Sequence, residues 1–390
     1  MPWKDVRVSE QRIRFVIRAN GGEESMAGLC REFGITRPTG YTWLKRYRDG
    51  NTVEALREHS RRPKTSPRQT AAELEAQVVA QRQKRPDWGA RKLRKVLERE
   101  GVMLKQDTIH RILQRHKLIA ERRQHPPAIQ RFERALPNLL WQMDFKGLPK
   151  DQAHGWTPLS VLDDCSRFAL GLTALESNLG RLVREALTRT FEDNGLPDAM
   201  LMDHGKPWWD VNQACGWTRL SIWLRQLGIR LHFAAIRHPQ TQGKIERFHG
   251  SLQAALRERG YPADRQSWPA WLEQFRQEYN HVRPHEALQM ETPASRWQPS
   301  SRPFPQKLPE WEYDSGAELK QVRSSGNIAI AGRDYFVSAA LTGQQVQLQT
   351  LSNGRLLVFY RRTCVREIDL LKRQTYPVYF SREQTVFAEE

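Results

Sequence analysis

The sequence predicts a multidomain α/β protein with two helical units first, a mixed α/β core in the middle and a small β-barrel last. Three observations predict it. The chain has 390 residues, enough for two or three folded units. Of its net charge of +18, +14 lies in residues 1–130, +2 in 131–300 and +2 in 301–390. Apolar residues recur at helical spacing in the first third and begin to alternate at residue 139.

Composition excludes several classes. Lysine and arginine total 62 against 44 acids, which points to a polyanionic partner. No apolar run approaches the ~20 residues of a membrane span, so no membrane partner is expected. The opening MPWKDVRVSEQRIRF lacks the apolar centre of a signal peptide. Cys30, Cys165, Cys215 and Cys364 are far apart and form no C-x-x-C pair, which argues against disulfide scaffolds, zinc ribbons and thioredoxin chemistry. The chain reads as a cytoplasmic, nucleic-acid-bound protein.

The first unit spans 1–58. In residues 25–48, Leu29 and Phe33 share a helix face and Gly34 breaks it. Thr36 can cap a second helix, with Pro38 in its first turn. Tyr41, Leu44 and Tyr47 are expected on its buried side, and Arg37, Lys45, Arg46 and Arg48 outside. Helix, short turn and basic helix is the layout that places a helix in a DNA major groove. A basic linker, 59–70, carries Arg61 and Arg62, which could follow a phosphate backbone. The second unit, 71–120, repeats the pattern. Leu93, Val96 and Leu97 share a face, Gly101 breaks it, and Asp107 or Thr108 can cap a helix burying Ile109, Ile112 and Leu113. Lys105, Arg111, Arg115 and Lys117 stay outside. Two such units either bind DNA or are helical hairpins with solvated basic faces. A second linker, 121–138, contains Pro126, Pro127 and Pro137.

The core spans 139–298. In 139–148, Leu140, Gln142 and Asp144 share one side of a strand, and Trp141, Met143 and Phe145 the other. Strands are expected at 157–164, 167–175, 198–203 and 229–234, and helices at 180–195, 218–228, 244–260 and 268–282. Three hairpin strands followed by helix–strand–helix–strand–helix make a mixed sheet with helices on its faces.

Acids fall at informative places in that frame. Asp144 is mid-strand, Asp203 closes a short apolar strand, and Glu246 is one turn into a helix. A carboxylate in a buried strand is costly unless a cation pairs with it, and no basic residue is an obvious partner for Asp144 or Asp203. Magnesium would relieve the cost, since it takes oxygen ligands. Two such ions support in-line attack at phosphorus without a histidine base. Taken singly, each acid could equally be a cap or a surface ion pair. Asp163, Asp164, Glu176 and Asp210 are read that way.

The motifs WQMDFKG (141–147), VLDDCSRFALG (161–171), MDHGKPW (202–208), HPQTQGKIERFHGSL (238–252) and NHVRPHEAL (280–288) occur in that order. With them, the segment 139–300 resembles the catalytic core of DDE transposases and retroviral integrases, most closely that of bacterial insertion-sequence transposases. The resemblance implies a ribonuclease H-like fold. It makes Asp144, Asp203 and Glu246 the catalytic and metal-binding triad, holding two Mg²⁺ ions, with Mn²⁺ as a substitute. It implies that the helical units bind the element's terminal inverted repeats. The interval from Asp203 to Glu246 is longer than in the integrase pattern, with the extra length in 208–217. The His/Cys zinc domain of retroviral integrases has no counterpart here.

Lys244, Arg247 and His249 flank Glu246 and are candidates for contact with the DNA end. Trp208 and Trp209 are read as filling the sheet edge in preference to stacking on a base. Arg283 and His285 are read as structural, tying the last helix to the core. A Pro-rich linker, 299–315, leads to short strands in 316–375, with Asn353-Gly354 as a hairpin turn, and to a tail, 376–390. Five strands in so short a span suggest an SH3-like barrel, similar to those after the core in relatives of phage Mu transposase. Its Arg355, Arg361, Arg362 and Arg366 could face phosphates, or the barrel could stiffen the assembly.

The expected function is DNA transposition: cleavage at an element end frees a 3′-OH, which attacks target DNA. The partners are double-stranded terminal repeats, target DNA and at least one further copy of the chain. The expected location is the bacterial nucleoid. Two alternatives are a non-catalytic DNA-binding regulator derived from a transposase and a structure-specific nuclease on the same fold.

Overall fold

A computed structural model describes residues 8–58, 69–119, 133–210, 216–234, 242–351 and 354–378. The chain divides into two compact units, Met1–Gln69 and Thr70–Glu390.

The first unit is built from α1 (Val8–Gly21), α2 (Met26–Glu32) and α3 (Arg37–Gly50) around Phe15, Val16, Leu29, Cys30, Ile35, Leu44 and Leu56. Ser25 and Thr36 cap α2 and α3, their hydroxyls accepting from the Gly28 and Thr39 N–H groups. Gly34 makes the turn between them with φ +62°. Tyr41 departs from expectation: it is 57% exposed, whereas Leu44 is 6% exposed. The cause is Gly40, where a Cβ would stand 2.8 Å from Cys30 and Phe15. That close approach centres the buried stripe on Gly40 and Leu44 and turns Tyr41 outward.

The second unit opens with α4 (Ala72–Lys84), α5 (Ala90–Arg99) and α6 (Gln106–Arg115), which bury Val78, Trp88, Leu93, Val96, Leu97, Ile109, Ile112 and Leu113. Neither Asp107 nor Thr108 caps α6. The helix starts earlier, with Lys105 at the cap position and Asp107 in the first turn, where an acid suits the helix dipole.

The core sheet has the order β3-β2-β1-β4-β5, from β1 (Trp141–Phe145), β2 (Thr157–Asp163), β3 (Ala169–Leu175), β4 (Ala199–Met202) and β5 (Arg230–Phe233). A one-turn helix, α7 (Lys150–Ala153), joins β1 to β2. Strands β1–β3 pair antiparallel, while β4 and β5 add in parallel to β1. This is the ribonuclease H-like order that the resemblance implies. One apolar layer joins Trp141, Met143, Met200 and Met202 to α8 (Gly180–Asn194) and α9 (Arg219–Gln226). The opposite layer joins Leu162 and Leu172 to α10 (Gly243–Arg259) and α11 (Ser267–His281).

The helical part of this unit docks on the core through charge. The Asp87 side chain is fully enclosed and pairs with Arg259 at 2.7 Å and Arg283 at 3.0 Å. Arg91, Lys95 and Arg99 follow one another at one-turn spacing along α5 and reach Glu286 and Glu291 just past α11. Arg283 is therefore structural, as read, but its partner is Asp87 in the preceding helical part.

The C-terminal strands are β6 (Glu318–Gln321), β7 (Asn327–Ile330), β8 (Arg333–Phe336), β9 (Gln345–Thr350), β10 (Arg355–Tyr360), β11 (Thr363–Asp369) and β12 (Gln374–Pro377). Five form a sheet of order β12-β11-β10-β9-β6, and β7 with β8 forms a separate ribbon. The expected closed barrel is not what these pairings make, because β12 and β6 end the ladder unpaired with each other. Asn353 lies outside the described residues.

This sheet packs on α9, whose Ile222 enters its core with Trp217, just before the helix, beside Val322, Val346 and Val358. All four arginines considered for phosphate contact have partners inside the protein, Arg362 lying over the Trp311 ring. Arg361 donates to the Arg225 carbonyl at the end of α9, at 2.9 Å. Arg366 is buried and donates to Val337. Arg355 pairs with Glu367. An arginine on the last carbonyls of a helix serves as a C-terminal cap. Arg361→Ala is expected to lower stability by about 1–2 kcal/mol, with DNA affinity unchanged. Denaturant unfolding beside a DNA titration checks this. Among the described residues, no helix is long and apolar enough to cross a membrane.

Candidate active site

Three elements bring the carboxylates together. Strands β1 and β4 run parallel with Gln142 opposite Leu201, so extending the register by two residues sets Asp144 beside Asp203. Glu246 is in the first turn of α10, where the helix dipole favours an acid. It is exposed there.

Their proximity shows in the charge balance. The Asp144 carboxyl is pushed up to about 6, chiefly by burial and further by the charges of Asp203 and Glu246, against one hydrogen bond from the Phe145 N–H. Among the described residues, no three histidine, cysteine or acidic side chains stand close enough to share one ion. The donor set still suits magnesium. It offers carboxylate oxygens, and the repulsion at Asp144 is of the kind a divalent cation relieves.

The supporting residues are specific. Asp203 Oδ1 accepts from the Trp208 indole N–H at 2.7 Å and from the Gly205 N–H at 3.0 Å. A Cβ on Gly205 would sit 3.0 Å from both Asp203 oxygens, so a larger residue there would press on the carboxylate. Trp208 is buried and stacks on Phe145, the neighbour of Asp144, with ring centroids 5.3 Å apart. It fills the sheet edge as read, and it also orients the second acid. His249 is buried too. Its Nε2 lies 2.9 Å from Ser160 Oγ, and Ser160 faces Asp144 across the β1–β2 pair. Its Nδ1 is 3.8 Å from Asp144 Oδ2. Burial and Lys146 hold its pKa down at about 3, so it is neutral. This place suits support of Asp144 more than contact with a DNA end.

Lys244 was expected at the DNA. Its side chain is 15% exposed and its Nζ is 2.5 Å from Asp164 Oδ1. Arg247 is exposed beside Glu246. Of the helical candidates, Arg37, Lys45, Arg48, Lys105 and Arg111 are exposed. Arg48 bonds Asn20. Arg46 lies over the Trp43 ring, which Arg12 also covers. Arg115 pairs with Glu75. Arg61 and Arg62 lie outside the described residues.

Sequence reasoning missed Gln142, Ser160 and Asp164 as parts of this site. A signal for Gln142 was present: a glutamine two residues before Asp144, on the same side of an apolar strand, needs polar partners. Asp164 was read as a turn or salt-bridge acid, and an ion pair is what it makes. What the sequence hid was the partner's identity.

Comparison with known proteins follows the same lines. The integrase core domain matches residues 134–239 and again 227–293. A helix-turn-helix domain matches 11–64 and a homeodomain-like domain matches 39–113. An uncharacterized 31.7 kDa protein of insertion element IS407 from Burkholderia multivorans is 27% identical over 226 residues, covering 57% of this chain and 79% of that protein. Similar solved structures include the HTLV-2 integrase catalytic core domain in complex with magnesium. It is 13% identical, covers 42% of this chain and 97% of that one, and has a TM-score of 0.32. A simian T-cell lymphotropic virus intasome in complex with the PP2A regulatory subunit B56 gamma is 16% identical, covers 70% and 93%, and has a TM-score of 0.36. With an integrase core behind helix-turn-helix domains and an insertion-element relative, the chain is similar to the insertion-sequence transposases built on an integrase-type core.

Proposed function

We propose that the protein binds the terminal inverted repeats of an insertion sequence, cleaves a phosphodiester there to free a 3′-OH, and joins that 3′-OH to target DNA. The observation that carries this reading is the placement of half-buried Asp144 on β1 beside Asp203 at the end of the parallel β4, with Glu246 in the first turn of α10 close enough for its charge to act on Asp144. Such a cluster is costly to keep charged without a cation, and carboxyls perturbed in this way concentrate at functional sites. Asp144, Asp203 and Glu246 would hold two Mg²⁺ ions, or Mn²⁺, which activate the attacking hydroxyl and stabilise the leaving oxygen in an in-line displacement. Trp208 and Gly205 fix the Asp203 carboxylate, and the Phe145 N–H fixes that of Asp144. The exposed Arg37, Lys45 and Arg48 on α3, with Lys105 and Arg111 on or beside α6, would hold the DNA. Two element ends must be paired, so the working form is at least a dimer. A DNA partner of this kind places the protein at the nucleoid, in the cytoplasm.

The test incubates purified protein and Mg²⁺ with the DNA that flanks its gene, and maps new 3′ ends and joined products. Metal-dependent cleavage and joining support the proposal. Cleavage without joining favours a nuclease, and binding without cleavage favours a regulator. Trp208→Phe keeps the stack on Phe145 and removes the N–H to Asp203. It is expected to slow cleavage about 10–100-fold with DNA binding unchanged. Single-turnover rates beside a binding titration check this.

A further inference from the structure

We infer that Lys244, Asp164 and Gln142 form a positioning brace that sets where Glu246 stands relative to Asp144. The inference rests on the reading above in treating Glu246 as the third acid.

Asp164 is fully buried, and its carboxylate is served from three directions. Oδ1 takes the Gln142 side-chain amide at 2.8 Å and the Lys244 ammonium at 2.5 Å, while Oδ2 takes the Arg134 N–H at 2.8 Å. Gln142 has a second task. Its Oε1 accepts from the Ile245 N–H at 3.2 Å. That N–H is one of the first of α10, which have no partner within the helix, and Gln242 supplies no side-chain cap. The two residues before Glu246 are therefore both held, one through its backbone and one through its side chain. Both holds lead to Gln142, on the same side of β1 as Asp144 and two residues before it.

A lysine in the first turn of a helix opposes the helix dipole, so this position disfavours Lys244 unless another group compensates. The buried Asp164 is that group. Contact with DNA would need the ammonium in solvent, whereas here it points inward. Partners of this kind, which orient a metal ligand without touching the metal, change metal affinity or activity about 10–100-fold when removed.

The test uses the full chain and two readouts: Mn²⁺ binding by electron paramagnetic resonance, and backbone hydrogen exchange over residues 243–248. Lys244→Met is expected to weaken Mn²⁺ binding about 10–100-fold and to speed exchange at Ile245, with DNA affinity unchanged. Lys244→Arg is expected to restore most of both. Wild-type Mn²⁺ affinity and wild-type protection in Lys244→Met would overturn the inference. So would a loss of DNA affinity with metal binding intact. If Lys244→Met does not fold, the double variant Asp164→Asn/Lys244→Met removes both charges at nearly constant volume and is judged by the same results. Glu246→Gln runs alongside. If it binds Mn²⁺ as wild type does, the metal assignment of the triad fails, and the exchange result alone decides the brace.

Discussion

Asp144→Asn is expected to stabilise the metal-free protein at neutral pH while abolishing strand cleavage. Folding carries this carboxyl from its ordinary 3.8 up to about 6, mainly by burying it. Well below its ordinary 3.8 it is protonated in both the folded and unfolded chain and contributes no difference. Between about 4 and 6 the folded chain binds more protons, so stability falls as pH rises. Above about 6 the full cost of holding the charge applies, about 3 kcal/mol for a shift of this size. Asparagine has no charge to hold. The gain in Asp144→Asn should therefore be small at pH 4, grow through pH 5 and 6, and level off above pH 7. Denaturant unfolding in a chelator at pH 4, 5, 6 and 7 measures it. A difference that does not vary with pH would show that Asp144 does not titrate as described. Added Mg²⁺ should narrow the gap, since an ion that binds only the folded wild type stabilises it by mass action.

The second large effect is at Asp87. Its enclosed carboxylate is shared between Arg259 and Arg283, and Arg283 also lies over the Trp88 ring. Arg259 keeps Glu278 when Asp87 is removed, but among the described residues Arg283 keeps only a 3.3 Å bond to Ser251 besides that ring. Leaving a buried guanidinium short of its counter-charge costs about 3–5 kcal/mol. Asp87→Ala is expected to lose that much, and Lys95→Ala, at a more exposed pair, under about 1 kcal/mol. Comparable losses at the two positions would contradict the assignment of the dock to Asp87.

What the sequence carried was the pattern along each element. Alternation in 141–145, the cap at Thr36 and the glycine turns at Gly34 and Gly101 are local properties, and each holds in the structure. Asp144 interrupts an apolar strand and Asp203 closes one, but Glu246 follows a polar loop, so it is the motif resemblance that singles out the proposed triad. Local pattern could not say which face of a helix its neighbours would cover. Tyr41 was therefore read inward, though Gly40 admits Phe15 and turns it out. Nor could it find partners far away in sequence. Arg361 meets the end of α9 across 136 residues, and Lys244 meets Asp164 from another element. A lysine or arginine beside a motif looks the same in sequence whether it binds phosphate or a buried carboxylate. The C-terminal strands were recognisable, but closure of a barrel depends on the pairing of β6 with β12, which no local signal fixes.

The most direct measurement compares wild type with Asp144→Asn, Asp203→Asn and Glu246→Gln for cleavage and joining of end-containing DNA in Mg²⁺, with DNA binding followed in parallel. The account predicts that all three variants bind the DNA as wild type does and that each loses chemistry. Full cleavage by any one of them would contradict the assignment of the three carboxylates to a single centre.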